Sequence, residues 1–180
     1  SSAASDVYKR QTKSSPEIDL VSLFEANSSL PLINKQSNYN NYLTPRVSFR
    51  LNPTGMKNNS TKSRTIDVGN VFSSNRLGLG NTFESGRSLT LGLDFKKEKI
   101  NNDKEKENEN TEDINKFFEI KLATVLRDKQ EEFIPKTSTL HRKTSNIFGS
   151  ITNKLYNNLE LNYKFSLDND LNTFEYNQID

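Results

Sequence analysis

The chain of 180 residues has no cysteine, which excludes disulfides within it and thiolate metal sites but says nothing firm about compartment. It has one histidine, His141. That rules out multi-histidine metal sites, and a solvated loop position is the simplest reading. Apolar residues make up only 32%, against the usual ~45–50%, a range that also counts glycine. A close-packed soluble core of this size would be hard to fill. No run approaches the ~20 apolar residues of a membrane-crossing helix, and no amphipathic helix of useful length appears. No signal peptide is visible, and a fragment would not show one. An excess of one charge is also missing. The 25 basic and 23 acidic residues leave +2, no field that points to nucleic acid. No nucleophile stands beside a base, so neither catalysis nor a cofactor is expected. Gly78-Leu79-Gly80 is a lone Gly-x-Gly with no helix after it, and reads as a turn.

What the chain does have is alternation. In "NLELNYKFSLD" the apolar residues Leu159, Leu161, Tyr163, Phe165 and Leu167 take the odd positions, and Glu160, Asn162, Lys164, Ser166 and Asp168 the even ones. "GRSLTLGLDFKK" sets Leu89, Leu91, Leu93 and Phe95 against Ser88, Thr90, Gly92, Asp94 and Lys96. "YLTPRVSFRLN" repeats the pattern, with Leu43, Pro45, Val47, Phe49 and Leu51 on one face. Pro45 lacks a donor and is expected at a strand start, edge or bulge. "FEIKLATVLRD" puts Phe118, Ile120, Leu122 and Leu126 opposite Glu119, Lys121 and Arg127, although Ala123 and Val125 blur the polar face. "SNIFGSITNKL" alternates with Phe148 as its exception, "RTIDVGNVF" is a shorter and weaker strand, and "LNTFEYNQI" closes the chain.

Period-two alternation means a strand with one face in an apolar medium and one in water. A half-buried strand of a soluble antiparallel sheet fits this, and so does a membrane barrel strand. About seven strands of ~9–11 residues match the length a tilted strand needs to cross a bilayer, whereas soluble strands average nearer 5–6. A barrel with a wet interior also tolerates the lean apolar content. The connections mix short turns with long loops, though without strict alternation of the two. In the longest, Asp103, Glu105, Glu107, Glu109, Glu112 and Asp113 interleave with lysines. They lack the Ca²⁺-loop pattern and read as a hydrated loop.

The segment "IDVGNVFSSNRLGLGNTFESGRSLTLGLDF" resembles the barrel of the LPS-assembly protein family (LptD, also called organic solvent tolerance proteins). Asp67 stands for that family's leading acid, Asn70, Val71 and Phe72 for an Asn-Leu-Phe triplet, and Arg76, Leu77 and Gly78 for the next turn. Glu84, Gly86 and Arg87 match the end of an Asp-Arg-x-Glu-x-Gly-x-Arg run, while Asn81 and Thr82 replace its Asp-Arg pair. "YLTPRVSFRLNPTG" resembles the Leu-x-Pro strand. "LRDKQEEFIPKTSTLHRKTSNIFGSI" resembles the approach to a Ser-Asp-x-x-Gly strand, with Asn146 for the acid.

The resemblance implies an all-β fold: antiparallel strands forming part of a transmembrane β-barrel in the cell outer membrane of a Gram-negative bacterium. It implies transport rather than catalysis, with lipopolysaccharide inserted into the outer leaflet. The implied partners are an LptE-like lipoprotein plug and the periplasmic lipopolysaccharide-bridge proteins. Residues 42–180 would be a partial barrel and residues 12–41 a loop or irregular strand. Residues 1–11 resemble translated adapter sequence, so the true protein is expected to be longer. On this reading Leu89, Leu91, Leu93, Phe95, Leu159, Leu161, Tyr163, Phe165 and Leu167 face lipid, and Glu160, Lys164 and Asp168 line a hydrated lumen. Arg76, Glu84 and Arg87 are expected to orient the turn or pair across strands. The competing readings are a soluble β-sandwich or adhesin-like binding module, and another outer-membrane barrel such as a porin or receptor.

Overall fold

The computed structural model describes residues 20–80, 82–100, 117–156 and 159–180. The adapter-like segment 1–11, Asn81 and the acids between residues 103 and 113 lie outside the described residues.

The described residues are all-β. Among them eight strands form one antiparallel sheet: β1 Phe24–Ser29, β2 Leu32–Lys35, β3 Tyr39–Asn52, β4 Gly86–Lys99, β5 Phe117–Arg127, β6 Ile147–Tyr156, β7 Leu159–Leu167 and β8 Phe174–Ile179. From β3 on, each strand pairs with the next in sequence. The sheet is open, with β1 and β2 at one edge and β8 at the other. Among the described residues the one helical turn is the 3-10 segment Lys136–Ser138, and no helix is long and apolar enough to cross a membrane.

β1 and β2 lie in the segment 12–41, and they behave as one interrupted strand. Ser29 faces Arg46 and Leu32 faces Leu43, so the register on β3 continues across the gap. The break has a chemical cause. Leu30 N–H donates to the Pro45 carbonyl at 3.0 Å, and Pro45 has no N–H to return the bond. Pro45 therefore sits inside β3, not at the start, edge or bulge expected for it, and the strand beside it is the one that breaks.

Two connections leave the same end of the sheet, residues 53–85 between β3 and β4 and residues 128–146 between β5 and β6. Both fold back over one face. They bond to each other through Asn59 N–H on the Phe133 carbonyl (2.9 Å) and Arg64 N–H on Thr137 Oγ1 (2.8 Å). Met56, Ile66, Val71, Leu77 and Leu79 from the first, with Ile134 and Leu140 from the second, pack on Ala123, Val125 and Phe148 of the sheet. Those last three are the residues that spoil the alternation in the sequence. They form the floor beneath the covering segments, which is why they are apolar on an otherwise polar face.

One further expectation is corrected here. Residues 64–67 are irregular and 68–72 are turns, not a strand. Asp67 Oδ1 accepts the Gly69 and Asn70 N–H groups, each at 2.9 Å, and such local bonds compete with a strand ladder. The even-numbered face of β4 is covered near its start. Ser88 and Thr90 are buried under the covering segment, and the Phe72 ring occupies the space above Gly92.

Candidate functional site

The two faces of the sheet differ in chemistry, and each is built from a different part of the sequence pattern. On the covered face, the 53–85 segment is pinned by a carboxylate surrounded by three guanidinium groups. Arg76 is held by the turn at Gly78, whose φ of 64° is one that favours glycine. Its Nε donates to Glu84 Oε2 and its Nη2 to Glu84 Oε1, both at 2.6 Å. The same guanidinium donates to Thr90 Oγ1 at 2.8 Å, to Ser88 Oγ at 3.0 Å and to the Val71 carbonyl at 3.3 Å. Every one of its polar hydrogens is directed at an acceptor on the sheet or its own segment.

Arg127 at the end of β5 donates to Glu84 Oε1 and to the Ser85 carbonyl. Arg50 of β3 lies 3.9 Å from Glu84 Oε2 and 2.8 Å from Glu25 Oε2 of β1, and it donates to the Ser73 carbonyl. The cluster thus joins β1, β3, β4, β5 and the covering segment. Burial by itself pushes the Glu84 carboxyl up, but the adjacent Arg76, with Arg127 and Arg50 behind it, outweighs that and holds it below the ordinary glutamate range. Glu84 is therefore a charged group kept charged inside the protein.

Other residues of the family-like motif support the same segment. Asp67 N–H donates to Asn70 Oδ1 at 3.1 Å, which completes the reciprocal turn described above. Phe72 lies over Gly92 of β4, where a Cβ would come within 2.6 Å of the ring, and the Arg46 guanidinium stacks 4.1 Å from its centroid. Gly86 starts β4 with a φ of 82°. Thr82, one of the two departures from the motif, is buried. Arg87 stands apart from the cluster and pairs with Asp128 at 2.9 Å on the surface.

Sequence pattern alone missed Arg50, Arg127 and Glu25 as members of this site. The first two fall on the polar face of their strands, where a charge reads as solvent-exposed. The available signal was the set of apolar exceptions, Ala123, Val125 and Phe148, which required that something cover that face. His141 is part-buried in the second covering segment. Burial lowers its pKa below the usual histidine value, and Arg142 and Lys136 lower it further. Among the described residues no group of three histidine or acidic side chains could hold a metal.

The opposite face is apolar and open. One row runs across the whole sheet through Leu32, Leu43, Phe95, Ile120, Ile151, Tyr163 and Ile179. The next row carries Leu30, Pro45, Leu93, Leu122, Gly149 and Phe165. Val47 faces Leu91, and Phe49 faces Leu89 and through it Leu126. Among the described residues nothing covers these rows. Phe49 is 45% exposed, Leu93 42% and Leu161 48%, with Leu91 and Leu159 in the same range. Leu89, Phe95, Tyr163, Phe165 and Leu167 are half-buried. Tyr163 stacks on Phe165 at 5.6 Å between centroids, and Phe165 meets Phe174 edge-on at 6.1 Å. The positions expected to face lipid therefore share one surface, and that surface is the uncovered one.

No family model, curated protein or solved structure matches the chain.

Proposed function

We propose that this chain is part of an outer-membrane β-barrel that inserts lipopolysaccharide into the outer leaflet of a Gram-negative cell, working with an LptE-like lipoprotein plug and the periplasmic bridge proteins. The observation that carries the membrane half of the reading is the inversion of the sheet. Its apolar face is open in continuous rows, while its polar face is covered at one end by the chain's own segments. In water an uncovered apolar surface of this extent is unfavourable at about 25 cal/mol per Å², and it marks a contact with another apolar medium. Strands of 14 residues in β3 and β4 exceed the ~9–11 that a tilted strand needs to cross a bilayer. The bare edges at β1/β2 and β8 are where further strands would complete a barrel, since an unpaired edge is otherwise a site of aggregation.

The cargo half of the reading rests on the family-like motif. Its residues Asp67, Asn70, Phe72, Arg76, Gly78 and Glu84 act together, building one segment and fastening it to the inner face. Depleting the full-length protein in its host is expected to stop newly made lipopolysaccharide from becoming accessible to a reagent added outside the cell. Normal surface delivery after depletion would overturn the transport assignment while leaving the barrel standing. A full-length protein that stays in the soluble fraction would remove both and favour the sandwich.

A further inference from the structure

The open face has limits, and they are chemical. Along β4 its outward residues run Arg87, Leu89, Leu91, Leu93, Phe95, Lys97 and Lys99. From Arg87 to Lys97 is about ten residues, roughly 34 Å of strand at ~3.4 Å each. At the ~45° tilt of a barrel strand this becomes about 24 Å, close to the ~25 Å apolar band of outer-membrane barrels. The two cations therefore stand where the hydrocarbon of a bilayer would end.

The two rims are not alike. At the Arg87 rim the charge is already met, because Asp128 Oδ2 lies 2.9 Å from Arg87 Nη2 and 3.0 Å from Nε. At the other rim Lys97 Nζ lies 4.4 Å from the centroid of the Tyr39 ring, and Tyr39 is opposite Lys99 across the β3–β4 ladder. Asn41 and Phe118 flank Lys97 on the neighbouring strands. Among the described residues this end of the outward face carries no acidic side chain, and both lysines are exposed. An ammonium beside a tyrosine at the edge of an apolar band is the arrangement that long cationic side chains and aromatic belts take at a membrane–water interface.

We infer that Tyr39, Lys97 and Lys99 form a rim that holds the phosphate of an anionic membrane lipid, with the acyl chains lying along Phe95 and Leu93. The inference rests on the membrane-barrel reading and adds to it a preference for lipid charge at one rim only. A cation near an anionic membrane surface contributes about 1 kcal/mol, which is close to a fivefold preference per lysine.

The test uses the full-length protein, otherwise free of tryptophan, refolded into vesicles of mixed phosphatidylcholine and phosphatidylglycerol. A Tyr39→Trp probe retains the aromatic ring beside Lys97. Its quenching by brominated phosphatidylglycerol, relative to brominated phosphatidylcholine, reads the local lipid preference. The expected result is a preference for phosphatidylglycerol of about fivefold or more. It should fall to near unity in the Lys97→Gln, Lys99→Gln double variant and return with arginine at both positions. A Leu51→Trp probe, opposite Arg87 at the other rim, should show no preference. An equal response to both lipids at Tyr39→Trp, or a preference that survives the glutamine variant, would overturn the inference. A Leu91→Trp probe at mid-band that neither lipid quenches would overturn the membrane reading itself.

Discussion

At the residue scale, Glu84 is the group on which the covered face depends. It is a single carboxylate between Arg76, Arg127 and Arg50, and its removal leaves buried guanidinium charge without a counter-ion. Breaking a buried ion pair from one side typically costs ~3–5 kcal/mol. Glu84→Gln is therefore expected to lower the unfolding free energy of the full-length protein in urea by that order, with the 53–85 segment becoming sensitive to protease. The pH dependence follows from the direction of the shift. Because the Glu84 carboxyl is held below its ordinary value, its contribution is fully present above the unfolded value of ~4.3. It is lost as pH falls through the lower folded value. Unfolding of the wild type should thus become easier on acidification below about pH 4.3, and this dependence should be weaker in Glu84→Gln. Gly92 is a second test at this scale. A Cβ there would stand 2.6 Å from Phe72, and overpacking of this kind costs ~1–3 kcal/mol. Gly92→Ala should destabilise by that order, and Phe72→Leu in the same chain should recover much of the loss. The motif made Arg76, Glu84 and Arg87 visible in the sequence as residues that orient the turn or pair across strands, and the first two meet. Arg50 and Arg127 were not, because strand alternation gives the face of a side chain but not what lies above that face.

At the element scale, strands were legible wherever the period of two held without interruption. The segment "FEIKLATVLRD" coincides with β5 apart from its ends, and "GRSLTLGLDFKK" lies within β4. For β1 and β2 only a loop or irregular strand over 12–41 was legible, because Phe24–Ser29 and Leu32–Lys35 carry too few apolar positions to show a period; they are ordered by pairing with β3. The error over residues 64–72 has the opposite origin. Ile66, Val68 and Phe72 gave an alternating outline, yet the Asp67 and Asn70 side chains satisfy the local backbone in turns. The faces of the strands give a further prediction. Leu93 lies midway between the two charged rims of β4, so Leu93→Arg should hinder membrane folding by ~2–4 kcal/mol. Asn162→Arg, on the polar face of β7, should cost far less, and the two are compared by folding yield into vesicles. Equal tolerance of both would contradict the assignment of faces.

At the scale of the whole molecule, the lean apolar content and the inverted sheet explain each other. An apolar fraction of 32% is too small to pack two layers densely, and here it is divided between a small core under the covering segments and the open rows outside. The division was legible only in part. Alternation showed that the strands have two faces, but the sequence leaves open which face meets the rest of the chain. That depends on where residues 53–85 and 128–146 fold, a matter settled by long-range packing and not by local propensity. The central claim is that the outward rows meet lipid, and β7 tests it most directly because its polar face is less covered than that of β4. In a full-length, cysteine-free protein in membranes, cysteines are placed one at a time at positions 159 to 168. A lipid-phase probe is expected to label positions 161, 163 and 165, and a water-soluble reagent positions 160 and 164. Reaction of the water-soluble reagent at odd and even positions alike would contradict the account.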